Sequence, residues 1–434
     1  MKFYGYMKGL NMQKVSKKGL LILLLAGSTG FGQVNKGSYI PKYIDPVLDQ
    51  LEKERELTQK RADSLLEVIR DRQAAQKKQA ERKELIFKSD LGGIQKPASV
   101  DAFKPLWHWE PVAQYQSGMC WCFCGTSFLE SEVFRLTHQT IKLSELHTVY
   151  YEYVEKARRY LEERGDSHFA EGGEVNGVFR TMAKYGAVPA DVYTGLLKGD
   201  KHDHTFLIEE LTNFLEYCKE HDYWDVEPAL AMIKVILNKH LGEPPQKFVW
   251  KEQTYTPTEF LQKVLKLNLA DYRDVMSTSE IPFYTRGEFK VPDNWWHDSS
   301  YINLPMEEWY NLIKKAVVSG YTVAIGGDVG DAGYLGFEDV AFVPDFDIPA
   351  DKISQSARDL RIFDGTTADD HGLHLVGYTK VGNWDWFLIK DSGRSSRWGA
   401  FKGYYFWRGD FVKLKMLSYT VHKDVLKEIL PKVK

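Results

Sequence analysis

The chain is 434 residues long, more than one ordinary domain needs and enough for a large core with additions. With 43% hydrophobic and 14% aromatic residues it is a folding sequence, not a disordered one. A net charge of −3 gives no support to a nucleic-acid partner, and none is expected.

In chain order, the first feature is a leader. Lys14, Lys17 and Lys18 precede "GLLILLLAG", and small residues follow in "STGFGQ". A basic start, a short apolar run and a small-residue end describe a secretory signal peptide, here residues 1–32 with cleavage expected near Gly32–Gln33. The run is far shorter than the roughly 18 residues a membrane span needs. No cysteine follows it to carry a lipid, and no later segment reads as a stable membrane span. The expected location is therefore exported, in a bacterial periplasm or secreted.

Residues 33–95 form a charged segment. Within it "LDQLEKERELTQKRADSLLEVIRDRQAAQKKQAERKELI" carries only a thin apolar stripe at Leu51, Leu57, Leu65, Leu66 and Ile69. This predicts a solvated helix, acting as a spacer or pro-segment. "GGIQKPAS" then reads as a linker into the main domain, 96–434.

From about residue 100 the periodicity strengthens. A helix follows Cys120 through Phe128, Leu129, Val133 and Leu136. A second is predicted from Leu143, Leu146, Val149, Tyr150, Tyr153, Val154, Ala157 and Leu161, with Ser144 as N-cap and Gly165 as stop. The loop "FAEGGEVNG" leads to a third helix ending at "KYGAVP". Residues 195–300 read as a helical insertion. "PMEEWYNLIKKAVVSG" is a further helix, after which the period changes. "YTVAIGGDVG", "HLVGYTK", "DWFLIKDS", "GYYFWR" and "KMLSYTVH" have strand character, with Gly382-Asn383 as a turn. Helices first and strands later predict an α+β fold.

Three of the four cysteines, Cys120, Cys122 and Cys124, alternate at the start of the first of these helices. The layout is not a disulfide framework. A metal site wants ligand pairs and a second pair elsewhere, and a redox pair wants Cys-x-x-Cys, so neither is matched. A single nucleophile with two bystanders fits better, because helix N-termini favour thiolates. It would need a histidine, a group to orient that histidine and donors for an oxyanion. "DDHGLHLVGYTK" supplies His371 and His374, "WFLIKDS" ends in Asp391, and Gln114 precedes Cys120 by six residues.

Together "QYQSGMCW", "HGLHLVGY", "WFLIKDS" and "WGAFKGYYF" resemble the Gln–Cys, His and third-residue segments of papain-like cysteine peptidases, in the same order. "SFLESEVFRL", "LSELHTVYYEYVEKARRYLE", "EGG" and "KYGAVP" resemble the bleomycin hydrolase and aminopeptidase C branch. The resemblance implies a papain-like fold, with a helical half and an antiparallel β-barrel-like half. It implies Cys120 as nucleophile and His371 as its acid/base partner, with Asp391 orienting the histidine. Gln114 with the Cys120 N–H would form the oxyanion hole. His371 is preferred to His374 by its six-residue spacing to Gly377, and His374 would point to the opposite strand face. Peptides are the implied substrates, no cofactor or metal is implied, and a homohexamer is the branch's assembly.

Three departures stand out. Asp391 replaces the Asn of that family, which would leave catalysis intact but shift its pH profile. Gly393 replaces the Trp that screens the third residue, unless Trp398 substitutes. The ending "KEILPKVK" has no evident match to the branch's C-terminal arm, which confines it to aminopeptidase work. The expected function is an exported aminopeptidase acting through a Cys120 acyl-enzyme. An endopeptidase or other amide hydrolase with an open cleft, and a silent peptide-binding relative, are the alternatives.

Overall fold

The computed structural model describes residues 45–81 and 85–434, so the leader read at 1–32 lies outside the described residues. The chain separates into two compact units, Met1–Leu85 and Ile86–Lys434. In the first, α1 (Pro46–Glu81) is one continuous helix. Asp45 starts it, its Oδ1 accepting from the N–H groups of Val47 at 2.9 Å and Leu48 at 3.2 Å. Leu51, Leu57, Leu65 and Ile69 remain exposed, as a thin stripe on a charged helix implies. Among the described residues no helix is long and apolar enough to cross a membrane.

The second unit begins before the linker read from the sequence. Ser89 N–H donates to Ala332 O at 2.9 Å and Lys88 Nζ to Asp331 O at 2.7 Å. Its helical half contains α2 (Cys120–Thr137), α3 (Glu145–Glu162), α4 (Val175–Tyr185), α5 (Thr205–Glu220) and α6 (Val226–Leu241). Ser144 caps α3 as predicted, accepting from His147 N–H at 3.1 Å. The apolar faces of these helices meet in one core, with Phe128, Val133, Val149, Tyr153, Leu211 and Ile233 all buried.

A small hairpin, β1 (Phe248–Trp250) and β2 (Gln253–Tyr255), follows. Thr256 and Glu259 then form a capping box on the short α7 (Pro257–Glu259). Next come β3 (Tyr272–Met276), β4 (Thr285–Gly287), β5 (Tyr301–Asn303), α8 (Met306–Val318), β6 (Val323–Gly327), β7 (Tyr334–Leu335) and β8 (Val340–Ala341). The chain closes with α9 (Gln355–Phe363), β9 (His371–Val381), β10 (Trp384–Lys390), β11 (Tyr404–Arg408), α10 (Gly409–Lys415) and β12 (Met416–His422). Ten of these strands form one sheet in the order β4-β5-β3-β12-β6-β9-β10-β11-β8-β7. It is antiparallel except for the β3–β5 and β8–β11 pairs. The fold is α+β, as the switch in periodicity implies.

Two features place the site. Helix α2 packs between the halves, touching α3 and α4 on one side and β6 and β9 on the other. Burial on both sides explains why every residue from Trp121 to Val133 is buried. The β9–β10 hairpin turns in two residues, Val381 pairing with Trp384 across Gly382-Asn383, and Gly382 has φ +60°. Its register slips by one residue at a bulge between Leu388 and Ile389.

Candidate active site

Cys120 is the first residue of α2 and is partly exposed, unlike the buried run that follows it. First-turn N–H groups have no acceptor within a helix, so its backbone N–H is free to donate outward. The turn before it is held tightly. Gln116 N–H donates to His202 O at 3.1 Å, and His204 N–H donates to Gln116 O at 3.0 Å. A Cβ on Gly118 would lie 2.7 Å from Glu171 Cβ, so only glycine lets the 171–173 loop approach. Trp121 Nε1 donates to Glu171 O at 3.2 Å and fastens the same loop.

The neighbouring thiols point elsewhere. Cys122 Sγ donates to Glu145 O at 3.3 Å, and Cys124 Sγ donates to Leu373 O at 2.8 Å. Burial pushes both thiols well above the usual cysteine range, so they stay protonated. All four cysteines are free.

His371 opens β9, and the end of β10 carries Asp391 beside it. His371 Nε2 lies 2.7 Å from Asp391 Oδ1, with the side chains 11% and 1% exposed. The Cys120 sulfur also acts on the ring, and with Nε2 engaged by Asp391 the nitrogen left over is Nδ1. Burial works against a charged imidazole here, but the Asp391 carboxylate and the Cys120 sulfur outweigh it. They hold the histidine well above its ordinary range. For Asp391, burial works upward, yet the imidazole and the Gly393 N–H pull it below the usual carboxylate range. The three groups are thus arranged to hold an imidazolium between two acceptors.

Gly393 does more than replace a Trp. Its N–H donates to Asp391 Oδ1 at 2.7 Å. A Cβ there would stand 3.1 Å from both His371 Nε2 and Asp391 Oδ1. Trp398 is 44% exposed and stacks on Phe337, ring centroids 5.3 Å apart. The rings that feel Asp391 are Tyr334 and Tyr405, whose phenols are raised first by burial and then by that carboxylate.

Gln114 is clamped from both sides. Its Nε2 donates to Ser117 O at 2.7 Å, while its Oε1 accepts from Ser392 Oγ at 2.7 Å. A backbone carbonyl can only accept, so this pairing fixes which end of the amide is nitrogen. The second N–H of that amide takes no part in the clamp. Ser117 and Ser392 escaped the sequence reading; each adjoins a residue already singled out, but serine is too common in turns to be noticed alone.

His374 belongs to a different network. Its Nδ1 lies 2.8 Å from Ser127 Oγ, which also accepts from Lys390 Nζ at 2.8 Å. Burial, then the Lys390 ammonium, holds His374 well below its ordinary range. Lys390 is itself pushed down to about 8 by burial. A cavity of about 20 Å³ is lined by this network together with Asp391 and Ser392.

A helix-borne cysteine facing a histidine and an acid on adjacent strands, set between a helical half and a sheet half, defines a papain-like cysteine peptidase architecture. A family profile sharpens this: the chain belongs to the Peptidase C1-like family, which it matches over residues 96–433. Aminopeptidase C from Streptococcus thermophilus is 26% identical over 265 residues, 50% of this chain. That match spans 58% of the relative's own length. A crystal structure of PepW from Lactobacillus rhamnosis HN001 shares the fold, with a TM-score of 0.62 and 19% identity over 90% of this chain and 94% of that one.

Proposed function

We propose that the protein is an aminopeptidase acting through a Cys120 acyl-enzyme. The Cys120 sulfur attacks a peptide carbonyl, and the oxyanion is met by the Cys120 N–H and the Gln114 amide. His371 gives its proton to the leaving amine as the C–N bond breaks. Water, deprotonated by His371, then releases the acyl group and restores the thiol. The observation that carries this reading is His371 held between Cys120 and Asp391, with its pKa well above the ordinary histidine range.

A thiol-directed epoxide is expected to label Cys120 near neutral pH and to fail on His371→Ala. Absence of labelling on the wild type would sink the reading. Peptides with free and with blocked N-termini separate exo- from endo-cleavage, and equal rates on both would remove the aminopeptidase assignment.

The leader motif supports export. Mass spectrometry of the protein from its native host should find the mature N-terminus near Gln33; retention of Met1 would overturn this. A homohexamer is the assembly the family resemblance suggests, and sedimentation of the purified chain tests it.

A further inference from the structure

The loop that packs on Trp121 ends in Glu174, which holds the N-cap position of α4 but caps nothing. Glu174 is only 4% exposed. Its Oε2 accepts from Tyr301 OH at 3.3 Å, and its Oε1 meets no donor. The group it touches instead is another carboxylate, Asp369.

Asp369 stands two residues before His371. Two residues of extended chain reach at most about 7 Å, so Asp369 lies within about two substrate residues of the reactive pair. Asp293 adds a third carboxylate, since a Cβ on Gly172 would lie 2.3 Å from its Oδ2. The charged groups acting most strongly on Glu174 are Asp369, Asp293 and Asp274, all acidic. The ammonium buried under this loop, Lys156, is turned to the backbone, donating to Ala170 O at 2.7 Å and to Gly172 O. Asp369 also lines a cleft of about 350 Å³, with Met276, Phe289, Val291 and Leu417 among its apolar walls.

The cations that act here reach only the outer members, His371 on Asp369 and Lys156 on Asp293, and carboxylates buried among other acids resist ionisation. Burial and the neighbouring acids raise Glu174 well above the usual range, and Asp369 is pushed up to about 7. A primary ammonium would supply both the missing donors and the missing charge. Among the described residues no three His, Cys, Asp or Glu side chains are arranged to hold a metal ion. The fit is to a hydrogen-bonding cation.

We propose that Glu174, Asp369 and Asp293 form an ammonium-binding subsite beside Cys120 and His371. It rests on the peptidase reading for its occupant, an ammonium carried by a peptide. That ammonium is either the free N-terminus or a basic side chain of the residue before the one at Cys120.

The test is calorimetry on the full chain carrying Cys120→Ala, so that binding is read without turnover. One peptide pair is Leu-Gly-Gly and its N-acetyl form. The other is N-acetyl-Lys-Leu-Gly and its norleucine counterpart. In one pair the cationic member should bind at least tenfold more tightly, and that pair identifies the source of the ammonium. Adding Asp369→Asn or Glu174→Gln should bring the ratio close to one. Should Glu174→Gln fail to fold, Asp369→Asn, at a partly exposed position, carries the same test. No difference within either pair, no binding at all, or a difference that survives both substitutions would overturn the subsite. Failure of the peptidase reading would show separately, as wild-type protein that neither takes the epoxide nor turns over peptide.

Discussion

Strand β9 carries two histidines three residues apart, and they are opposites. His371 faces Cys120 and Asp391 and is held well above the ordinary range; His374 faces Ser127 and Lys390 and is held well below it. Both are largely out of solvent. Burial acts on both in the same direction, so burial does not distinguish them. The partner does: a carboxylate outweighs the desolvation of one ring, and an ammonium adds to that of the other. Residue type and strand position are nearly shared, yet only one of the two can act as an imidazolium.

The sharpest way to break this contrast is to remove each ring in turn. His371→Ala should lower kcat/KM on peptides by about 10³-fold, the scale of a lost acid/base. His374→Ala should leave the rate within about threefold but cost about 1–3 kcal/mol in urea unfolding, because Ser127 loses a buried partner. Comparable rate losses in both variants would erase the distinction.

Asp391→Asn probes the carboxylate alone. An amide can still orient the ring, so activity should survive within about tenfold at the new optimum. The acid raises the His371 pKa, so its removal lowers that pKa. The imidazolium is then lost at lower pH, and the alkaline limb of kcat/KM should move in the acid direction by about one unit or more. An unmoved limb would show that Asp391 does not couple to His371.

Lys390→Met probes the other network. The folded state holds Lys390 at about 8, below its ordinary 10.5. Between those values the unfolded chain binds the proton and the folded one does not, so this residue makes stability rise with pH there. The variant should be about 1 kcal/mol more stable at pH 7, with a flatter rise above pH 8. The smallest effect is expected from Gly393→Ala. Its methyl must displace the His371–Asp391 pair by a few tenths of an ångström, which should lower kcat about threefold without unfolding the protein.

Much of this was legible before any coordinates. The spacing of Leu143 through Leu161 and the cap at Ser144 are local properties, and α3 follows them. Cys120 could be singled out as the candidate nucleophile because its bystanders lack partners at ligand spacing. What stayed hidden depends on contacts across the chain. Residues 195–300 read as helical, but the structure adds β1 to β4 there. Strands as short and charged as "YRDVM" and "TRG" carry no clear alternation, and they form only against β12 and β5. The clamp on Gln114 joins Ser117 to Ser392, and the acidic subsite joins Glu174 to Asp369. Neither pairing has a local signature.

The bulge in the β9–β10 hairpin decides which histidine the acid serves. Carried on unbroken, the register that sets Trp384 opposite Val381 would set Asp391 opposite His374. The one-residue slip at Leu388/Ile389 instead brings Lys390 opposite His374. Asp391 is thereby turned to the other side of the sheet, where His371 waits. A single inserted residue works as a parity switch. Without that slip the ammonium would fall to the histidine beside Cys120 and the carboxylate to the one turned away from it.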